Sequence, residues 1–192
     1  MAVQAEVVFA EQEIRERVRE LGAEITRDYR GRTPVLVSVL KGGTMFLADL
    51  FREIDLPLRV DFMSISAYGG GDGPSGVVRI LKDLDHDVLG EDVLVVEDII
   101  DTGLTLSYLL SSLANRQPAS LEVCTLLDRS VRRIAPIDIR YRGFDCPDRF
   151  VVGYGLDYQE RYRQLPFILS VDPAELAEDL DGLVAYLDEP VA

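Results

Sequence analysis

The 192-residue sequence predicts an α/β fold, with a mainly parallel, twisted sheet flanked by helices. Apolar runs rich in β-branched residues alternate along the chain with segments whose apolar residues recur at helical spacing. One apolar run, Val93–Val96, leads directly into acidic residues and a tight turn that opens a helix. Polar side chains between a buried strand and a helix N-terminus are typical of the carboxyl edge of a parallel sheet, where such folds bind ligands.

The alternation gives the order of the elements. Helices are predicted at Glu11–Tyr29, Thr44–Ile54 and Thr105–Ala114, and the first of them carries Ile14, Val18, Leu21 and Ile25 on one face. Strands are predicted at Val35–Leu40, Leu58–Ser64, Val77–Leu81, Asp92–Val96, Leu121–Leu127 and Phe150–Val152. Helices that cross between neighbouring strands make the sheet mainly parallel.

The end of the sequence predicts one more helix, at about residues 173–188. Asp172 is a suitable N-cap, Pro173 fits the first turn, and Glu175 can reach back to the cap. A leucine stripe continues through Leu176, Leu180, Leu183 and Leu187. We expect residues 1–192 to form a single domain and this helix to serve docking or subunit contact.

Composition narrows the class of protein. The net charge of −14 and the pI of about 4.4 argue against broad binding to nucleic acid. No apolar stretch approaches a membrane span, and the apolar run near Val7–Ala10 is too short for a signal peptide, so we expect a cytoplasmic protein. The spacing of Cys124 and Cys146 suggests neither a metal site nor a disulfide.

The acids and the turn after Val96 suit a phosphorylated sugar. The free N–H groups of residues 102–105, with the hydroxyls of Thr102 and Thr105, can bind a phosphate monoester at the start of the helix, for which Asp101 or Thr102 would be the N-cap. Glu97 and Asp98 only accept hydrogen bonds when ionised, so they call for a ribose diol or Mg²⁺.

These residues, E-D-I-I-D-T-G, resemble the phosphoribosyl-pyrophosphate (PRPP) motif of the type I phosphoribosyltransferases, in the form of the hypoxanthine-guanine branch. Further ordered matches lie at Leu40–Gly43, Ala67–Gly71, Leu126–Arg129 and Phe150–Tyr158. The resemblance implies the family's sheet with a small hood and a flexible lid loop. It also implies a homodimer or homotetramer.

The resemblance assigns the PRPP side of a site. Glu97 and Asp98 would hold the ribose, and Asp101, Thr102, Gly103, Leu104 and Thr105 would hold the 5-phosphate. Lys41, Gly42 and Arg163 would hold pyrophosphate, and the Leu40–Lys41 peptide bond would be cis. Asp157 would bind Mg²⁺ carried by pyrophosphate, with Glu97 and Asp98 as further candidate ligands.

The resemblance also assigns the purine side. Phe150 would stack on the base, the Val151 backbone would read its edge, and Asp101 would handle the proton at N7. Arg129 stands where the family has a lysine that donates to the purine 6-oxygen. Arg133 and Arg163 fall on family positions and are expected to bind substrate, whereas Arg132 and Arg161 are expected to be solvated. The single histidine, His86, is expected in an exposed linker.

The glycine-rich stretch Ala67–Gly76 suits either a long hairpin connection or a lid. A lid would exclude water from the reacting ribose carbon, which gains positive character as pyrophosphate leaves. In the family a Ser-Tyr pair closes this loop. Tyr68 matches the pair, but Ala67 replaces the serine.

The expected activity is therefore a Mg²⁺-dependent transfer of the phosphoribosyl group from PRPP to a 6-oxopurine, with hypoxanthine and guanine as the expected bases. One alternative is a xanthine-preferring enzyme. The other is a non-catalytic regulatory relative, and the acidic charge and the presence of Asp101 disfavour this second alternative. A signalling receiver domain is excluded because no lysine follows Lys82.

Overall fold

The computed structural model describes residues 3–68 and 77–188. In chain order, the elements are β1 (Ala5–Phe9), α1 (Glu11–Asp28), β2 (Val35–Val39), α2 (Thr44–Arg52), β3 (Arg59–Tyr68), β4 (Val77–Lys82), β5 (Asp92–Ile100), α3 (Leu104–Ala114), β6 (Ser120–Asp128), β7 (Tyr141–Asp145), β8 (Phe150–Val152), β9 (Ile168–Val171), α4 (Pro173–Glu178) and α5 (Ala185–Asp188). A short 3-10 turn at Ser130–Arg132 follows β6.

The larger sheet has six strands in the order β4-β3-β2-β5-β6-β7. Its five strands from β3 to β7 in that order are parallel, and β4 pairs antiparallel with β3 at one edge. The predicted, mainly parallel α/β sheet is therefore confirmed. Both faces are covered, since one buried cluster joins the sheet to α1 and α2 and another joins it to α3.

The smaller sheet forms a separate hood. Its order is β1-β9-β8, and both pairings are antiparallel. It has its own apolar cluster, which includes Val3, Val152, Phe167, Leu169 and Leu176. The segment after β8 packs against the loop after β2, since a Cβ atom on Gly155 would lie 2.1 Å from the Gly42 carbonyl oxygen.

Three strands were absent from the predicted elements. The segment that forms β7, Y-R-G-F-D, is an edge strand with little apolar patterning, and β1 and β9 are short strands that pair with each other across most of the chain. Hydrogen-bonded partners so distant in sequence leave no local signal.

The predicted C-terminal helix over residues 173–188 is wrong as a continuous helix. It is two short helices, α4 and α5, separated by a turn that contains Asp179, Asp181 and Gly182. Asp172 does cap α4 by accepting the Ala174 N–H at 2.8 Å. Glu175 does not reach back to the cap and instead accepts the Gln4 N–H at 2.8 Å. Aspartate and glycine favour turns, and here their preference outweighs the helical spacing of the leucines.

No helix within the described ranges is long and apolar enough to cross a membrane. His86 is exposed, as expected. Residues 69–76, most of the predicted lid, lie outside the described residues, and so does the side chain of Tyr68.

Candidate active site

The acids Glu97 and Asp98 lie inside β5, although the predicted strand ended at Val96. The pairing of β5 with β2 stops at Ser38 and Val96, whereas its pairing with β6 continues to Ile100 and Asp128. Past Val96, β5 therefore has a strand on one side only. The acids can occupy this part of the strand because its other side opens to the loop after β2.

The loop Leu40–Gly43 fills that opening. Its Leu40–Lys41 peptide bond is cis, as the resemblance implied. A Cβ atom on Gly42 would lie 1.8 Å from Asp98 Oδ2, and a Cβ on Gly155 would lie 2.1 Å from the Gly42 carbonyl oxygen. Glycine at these two positions lets the loop, Asp98 and the segment after β8 approach one another.

This packing changes the acids electrostatically. Burial, together with the nearby charge of Asp98, raises the pKa of Glu97 well above its ordinary value. Burial raises the pKa of Asp98 to about 6, even though its Oδ1 accepts the Ile99 N–H at 2.8 Å. Both carboxylates are costly to ionise without a partner, so a cation or hydroxyl donors would be favourable ligands.

A cavity of about 220 Å³ opens between β5 and the start of α3. Its lining includes the polar side chains of Glu97, Asp101, Thr102 and Thr105, together with Gly103. The N-cap of α3 is Gly103, not Asp101 or Thr102, although Thr102 Oγ1 accepts a long hydrogen bond of 3.4 Å from the Leu104 N–H. The side chain of Leu104 is exposed, so this residue can contribute only its backbone to the cavity. The first turn of a helix leaves N–H groups free for an anion.

Arg129 is buried beside Asp101. It is 5% exposed, its Nη1 lies 3.4 Å from Asp101 Oδ2, and its Nη2 donates to the Arg149 carbonyl oxygen at 2.6 Å and to Cys146 Sγ at 3.6 Å. Within the described residues, Arg129 Nε and Asp101 Oδ1 are both buried and lack a hydrogen-bond partner. Buried polar atoms without a partner are costly, so a ligand that supplied an acceptor to Arg129 Nε and a donor to Asp101 Oδ1 would be favourable.

The start of β8 adds an aromatic wall. Phe150 is partly buried and makes an edge-to-face contact with Tyr158, with ring centroids 5.8 Å apart. The next residue, Val151, is buried and pairs with Ser170 of β9. An aromatic face at this position suits a planar base.

Lys41 and Arg163 contact the same carboxylate, that of Glu160. Lys41 Nζ lies 2.7 Å from Glu160 Oε2, and Arg163 Nη2 lies 3.4 Å from Glu160 Oε1. Arg163 also contacts Asp157 Oδ1 at 2.8 Å and donates to the Gly155 carbonyl oxygen at 2.7 Å. Two cations from distant parts of the chain thus face the same region.

Arg133 has a different place from the one expected. Its Nε donates to the Asp101 carbonyl oxygen at 3.0 Å and its Nη2 to the Ile100 carbonyl oxygen at 3.1 Å, while Nη2 also pairs with the buried Asp128. These contacts hold the turn after β5 from behind. We therefore assign Arg133 to positioning the turn rather than to contact with a substrate.

Sequence reasoning missed one residue of the site, Glu160, which bridges Lys41 and Arg163. No sequence signal pointed to it. Arg132 is exposed, as expected, although its Nη1 lies 3.9 Å from Asp101 Oδ2. Arg161 pairs with the exposed Asp181 outside the site, as expected of a surface arginine.

The donor set fits a Mg²⁺ ion that arrives with a ligand. No group of three or more His, Cys, Asp or Glu side chains able to hold a metal occurs within residues 3–68 and 77–188. Mg²⁺ prefers six oxygen ligands, so most would have to come from water and from a phosphorylated substrate. Asp157 offers carboxylate oxygens beside the two cations, and Glu97 and Asp98 offer others.

Comparison with known proteins agrees with this geometry. The family model for the phosphoribosyl transferase domain matches residues 4–159. The hypoxanthine-guanine phosphoribosyltransferase of Mycobacterium avium is 53% identical, over 87% of this chain and 85% of its own. The Bacillus subtilis protein of that name is 51% identical, over 88% and 93%.

Solved structures give the same result. A hypoxanthine phosphoribosyltransferase from Staphylococcus aureus superposes with a TM-score of 0.85 at 46% identity, covering 91% of this chain and 94% of its own. Both the sequence and the fold match over most of the chain. The chain therefore belongs to the phosphoribosyltransferase family, in its hypoxanthine-guanine branch.

Proposed function

We propose that the protein transfers the 5-phosphoribosyl group of PRPP to hypoxanthine or guanine, releasing pyrophosphate in a purine salvage reaction. The observation that carries this proposal is the open pair at the base subsite, Arg129 Nε and Asp101 Oδ1. A 6-oxopurine offers an acceptor at O6 and, in its N7–H form, a donor at N7 on the same edge. One base would satisfy both buried atoms.

The PRPP side follows from the two subsites around β5. The turn and first residues of α3 would hold the 5-phosphate, and Glu97 and Asp98 would accept hydrogen bonds from the ribose hydroxyls. Lys41, the Gly42 backbone and Arg163 would bind pyrophosphate. Asp157 would hold Mg²⁺ on the pyrophosphate oxygens, and the bound ion would supply charge neutralisation for the leaving group.

The chemistry needs little from the protein beyond geometry and charge. Phe150 would orient the base so that N9 faces the ribose C1′, and Asp101 would accept the N7 proton as the bond to C1′ forms. Arg163 and Lys41 would stabilise the departing pyrophosphate. Tyr68 and the glycine-rich loop remain predicted to keep water out.

A purine panel tests the proposal. Hypoxanthine, guanine, xanthine and adenine are each incubated with PRPP and Mg²⁺, and the nucleotide and pyrophosphate formed are quantified. We expect equal amounts of nucleotide and pyrophosphate with hypoxanthine or guanine. A preference for xanthine would support the alternative specificity, and failure of every base would support a non-catalytic protein. The homodimer or homotetramer and the cytoplasmic location stay predictions, and light scattering would test the assembly.

A further inference from the structure

One carboxylate contacts both cations of the proposed pyrophosphate subsite. Glu160 Oε2 lies 2.7 Å from Lys41 Nζ, and Glu160 Oε1 lies 3.4 Å from Arg163 Nη2. We infer that Glu160 is an internal counter-anion that holds Lys41 and Arg163 in the ligand-free protein and yields them to pyrophosphate. The inference rests on the proposed function, because that function makes these two cations pyrophosphate ligands.

The backbone conformation at Glu160 is unfavourable for a glutamate, so local turn preference does not explain why Glu160 stands at this position. Tyr158 and Arg161 exchange backbone hydrogen bonds of 3.2 and 3.0 Å, so Gln159 and Glu160 are the central residues of a two-residue turn. Their φ angles are +50° and +66°. A turn with both central residues in the left-handed region favours Asn-Gly, and glutamine and glutamate rarely adopt it.

The unfavourable turn directs the Glu160 side chain toward the subsite. The Glu160 N–H donates to Asp157 Oδ2 at 2.8 Å, which ties the turn to the predicted Mg²⁺ ligand. Within the described residues, Lys41 Nζ has Glu160 as its hydrogen-bonding partner. An unusual backbone that delivers a side chain to a functional cation indicates a role in the site.

The ion pair between Lys41 and Glu160 is weak enough for pyrophosphate to displace it. Both partners are largely exposed, with 65% of the Lys41 side chain and 64% of the Glu160 side chain accessible to solvent. An exposed pair of single charges binds weakly, whereas pyrophosphate carries several charges and brings Mg²⁺. Glu160 can therefore keep the two side chains in place without blocking the ligand. After the reaction it can take back the cations and favour pyrophosphate release.

The variant Glu160→Gln removes the competing charge and keeps the size of the side chain. Calorimetric titration with inorganic pyrophosphate and Mg²⁺ should give a dissociation constant about two- to fivefold lower than that of the wild type, the scale of an exposed ion pair. Pyrophosphate should also become a stronger product inhibitor of nucleotide synthesis. An unchanged or higher dissociation constant would overturn the inference.

Asp181→Asn is the matched control. Asp181 is an exposed acid paired with Arg161 at 2.6 Å, so the variant changes the net charge by the same amount in the same region of sequence. We expect its affinity for pyrophosphate to equal that of the wild type. An equal gain in both variants would attribute the effect to net charge and overturn the inference.

A double-mutant cycle separates direct competition from repulsion at a distance. If Glu160 competes for Lys41, the gain from Glu160→Gln should shrink in a Lys41→Met background. The same gain in both backgrounds would mean simple repulsion of the ligand and would overturn the inference. A wild type that neither binds pyrophosphate nor makes nucleotide would remove the proposed function as well, whereas an active wild type with an unaffected Glu160→Gln variant would remove the inference alone.

Discussion

Arg129 is held chiefly by contacts with other protein groups, and this limits which of its atoms can serve its predicted role in base selection. Nη1 and Nη2 contact Asp101, Arg149 and Cys146, whereas the buried Nε has no hydrogen-bond partner among the described residues. Arginine offers no acceptor at any pH, so adenine's 6-amino group would meet a donor. We infer that the replacement of the family's lysine keeps the preference for a 6-oxygen.

Substitution of Arg129 tests this selection. Arg129→Ala should raise KM for hypoxanthine by roughly 10- to 100-fold, the size of a lost hydrogen bond to a charged donor, with little change in KM for PRPP. Arg129→Lys should retain much of the activity. Steady-state kinetics with each substrate varied in turn gives both constants. Efficient use of adenine by the wild type would contradict the assignment.

Asp101 is predicted to act on the proton at N7. In the part of the chain that the structure describes, its buried Oδ1 has no hydrogen-bond partner, while Oδ2 is shared by Arg129 and Arg132. We expect Oδ1 to contact the base. Asp101→Asn should lower kcat by roughly two to four orders of magnitude, as for loss of a general acid–base, with PRPP affinity retained. Single-turnover kinetics and a PRPP titration would separate the two. Near-normal turnover would exclude this role.

Asp98 should cost the ligand-free protein stability. Its folded pKa is raised from 3.8 to about 6, so between these values the folded protein binds more protons than the unfolded chain, and stability falls as pH rises through this window. Asp98→Asn removes the ionisation. We expect the variant to be more stable than the wild type at pH 8, by up to about 3 kcal/mol, with the difference vanishing near pH 4. Denaturant unfolding at both pH values checks this, and a less stable variant at pH 8 would refute it.

Candidate site residues could be predicted from the sequence where they lie close together in one segment whose local structure brings them to the same place. Glu97 to Thr105 is such a segment, since a strand, a turn and a helix follow one another there. Glu160 contacts a residue far along the chain, since 119 positions separate it from Lys41. Such contacts depend on how the hood sits over the larger sheet, which no local pattern specifies.

At the scale of elements, buried strands and amphipathic helices were predicted well, and their ends were not. The predicted end of β5 at Val96 assumed that acids leave a strand, whereas β5 continues to Ile100 because β6 still pairs with it. The cap of α3 falls on Gly103 because the turn needs a left-handed residue, with φ +78°, before the helix begins. Both differences reflect neighbouring strands and turns rather than propensity.

The contact between the loop after β2 and the segment after β8 can be tested at Gly155. Its φ is +99°, and a Cβ there would lie 2.1 Å from the Gly42 carbonyl oxygen. Gly155→Ala should therefore destabilise the protein by roughly 1–3 kcal/mol. It should also raise KM for PRPP, because the added methyl group would displace the loop Leu40–Gly43, which is predicted to bind pyrophosphate.

Gly31→Ala is its control. Gly31 has φ +81° with no atom within 4 Å of the added Cβ, so it carries the backbone cost without the collision. We expect lower stability by about 1 kcal/mol and an unchanged KM for PRPP. If Gly155→Ala and Gly31→Ala have the same effects on thermal unfolding and on KM for PRPP, the contact between Gly155 and Gly42 does not contribute to PRPP binding.

At the scale of the whole molecule, an acidic protein is proposed to bind a polyanion. The chain has 34 acidic and 20 basic residues other than histidine, and the cations of the site are already paired with acids, Lys41 with Glu160 and Arg163 with Asp157. The protein therefore brings little free positive charge to pyrophosphate. We therefore expect Mg²⁺ to supply much of this charge, bound to the ligand rather than to the protein.

The last prediction follows from this balance. Asp157 Oδ1 contacts Arg163 at 2.8 Å and Oδ2 accepts the Glu160 N–H at 2.8 Å, so protein groups already partly neutralise this carboxylate before a ligand binds. Calorimetry should show weak Mg²⁺ binding to the protein alone, at millimolar or weaker affinity, and at least about tenfold tighter binding with pyrophosphate present. Asp157→Asn should lose most of this gain. Equal Mg²⁺ affinity with and without pyrophosphate would mean that the metal binds the protein at a site independent of the ligand. Asp157 would then not bind Mg²⁺ carried by pyrophosphate.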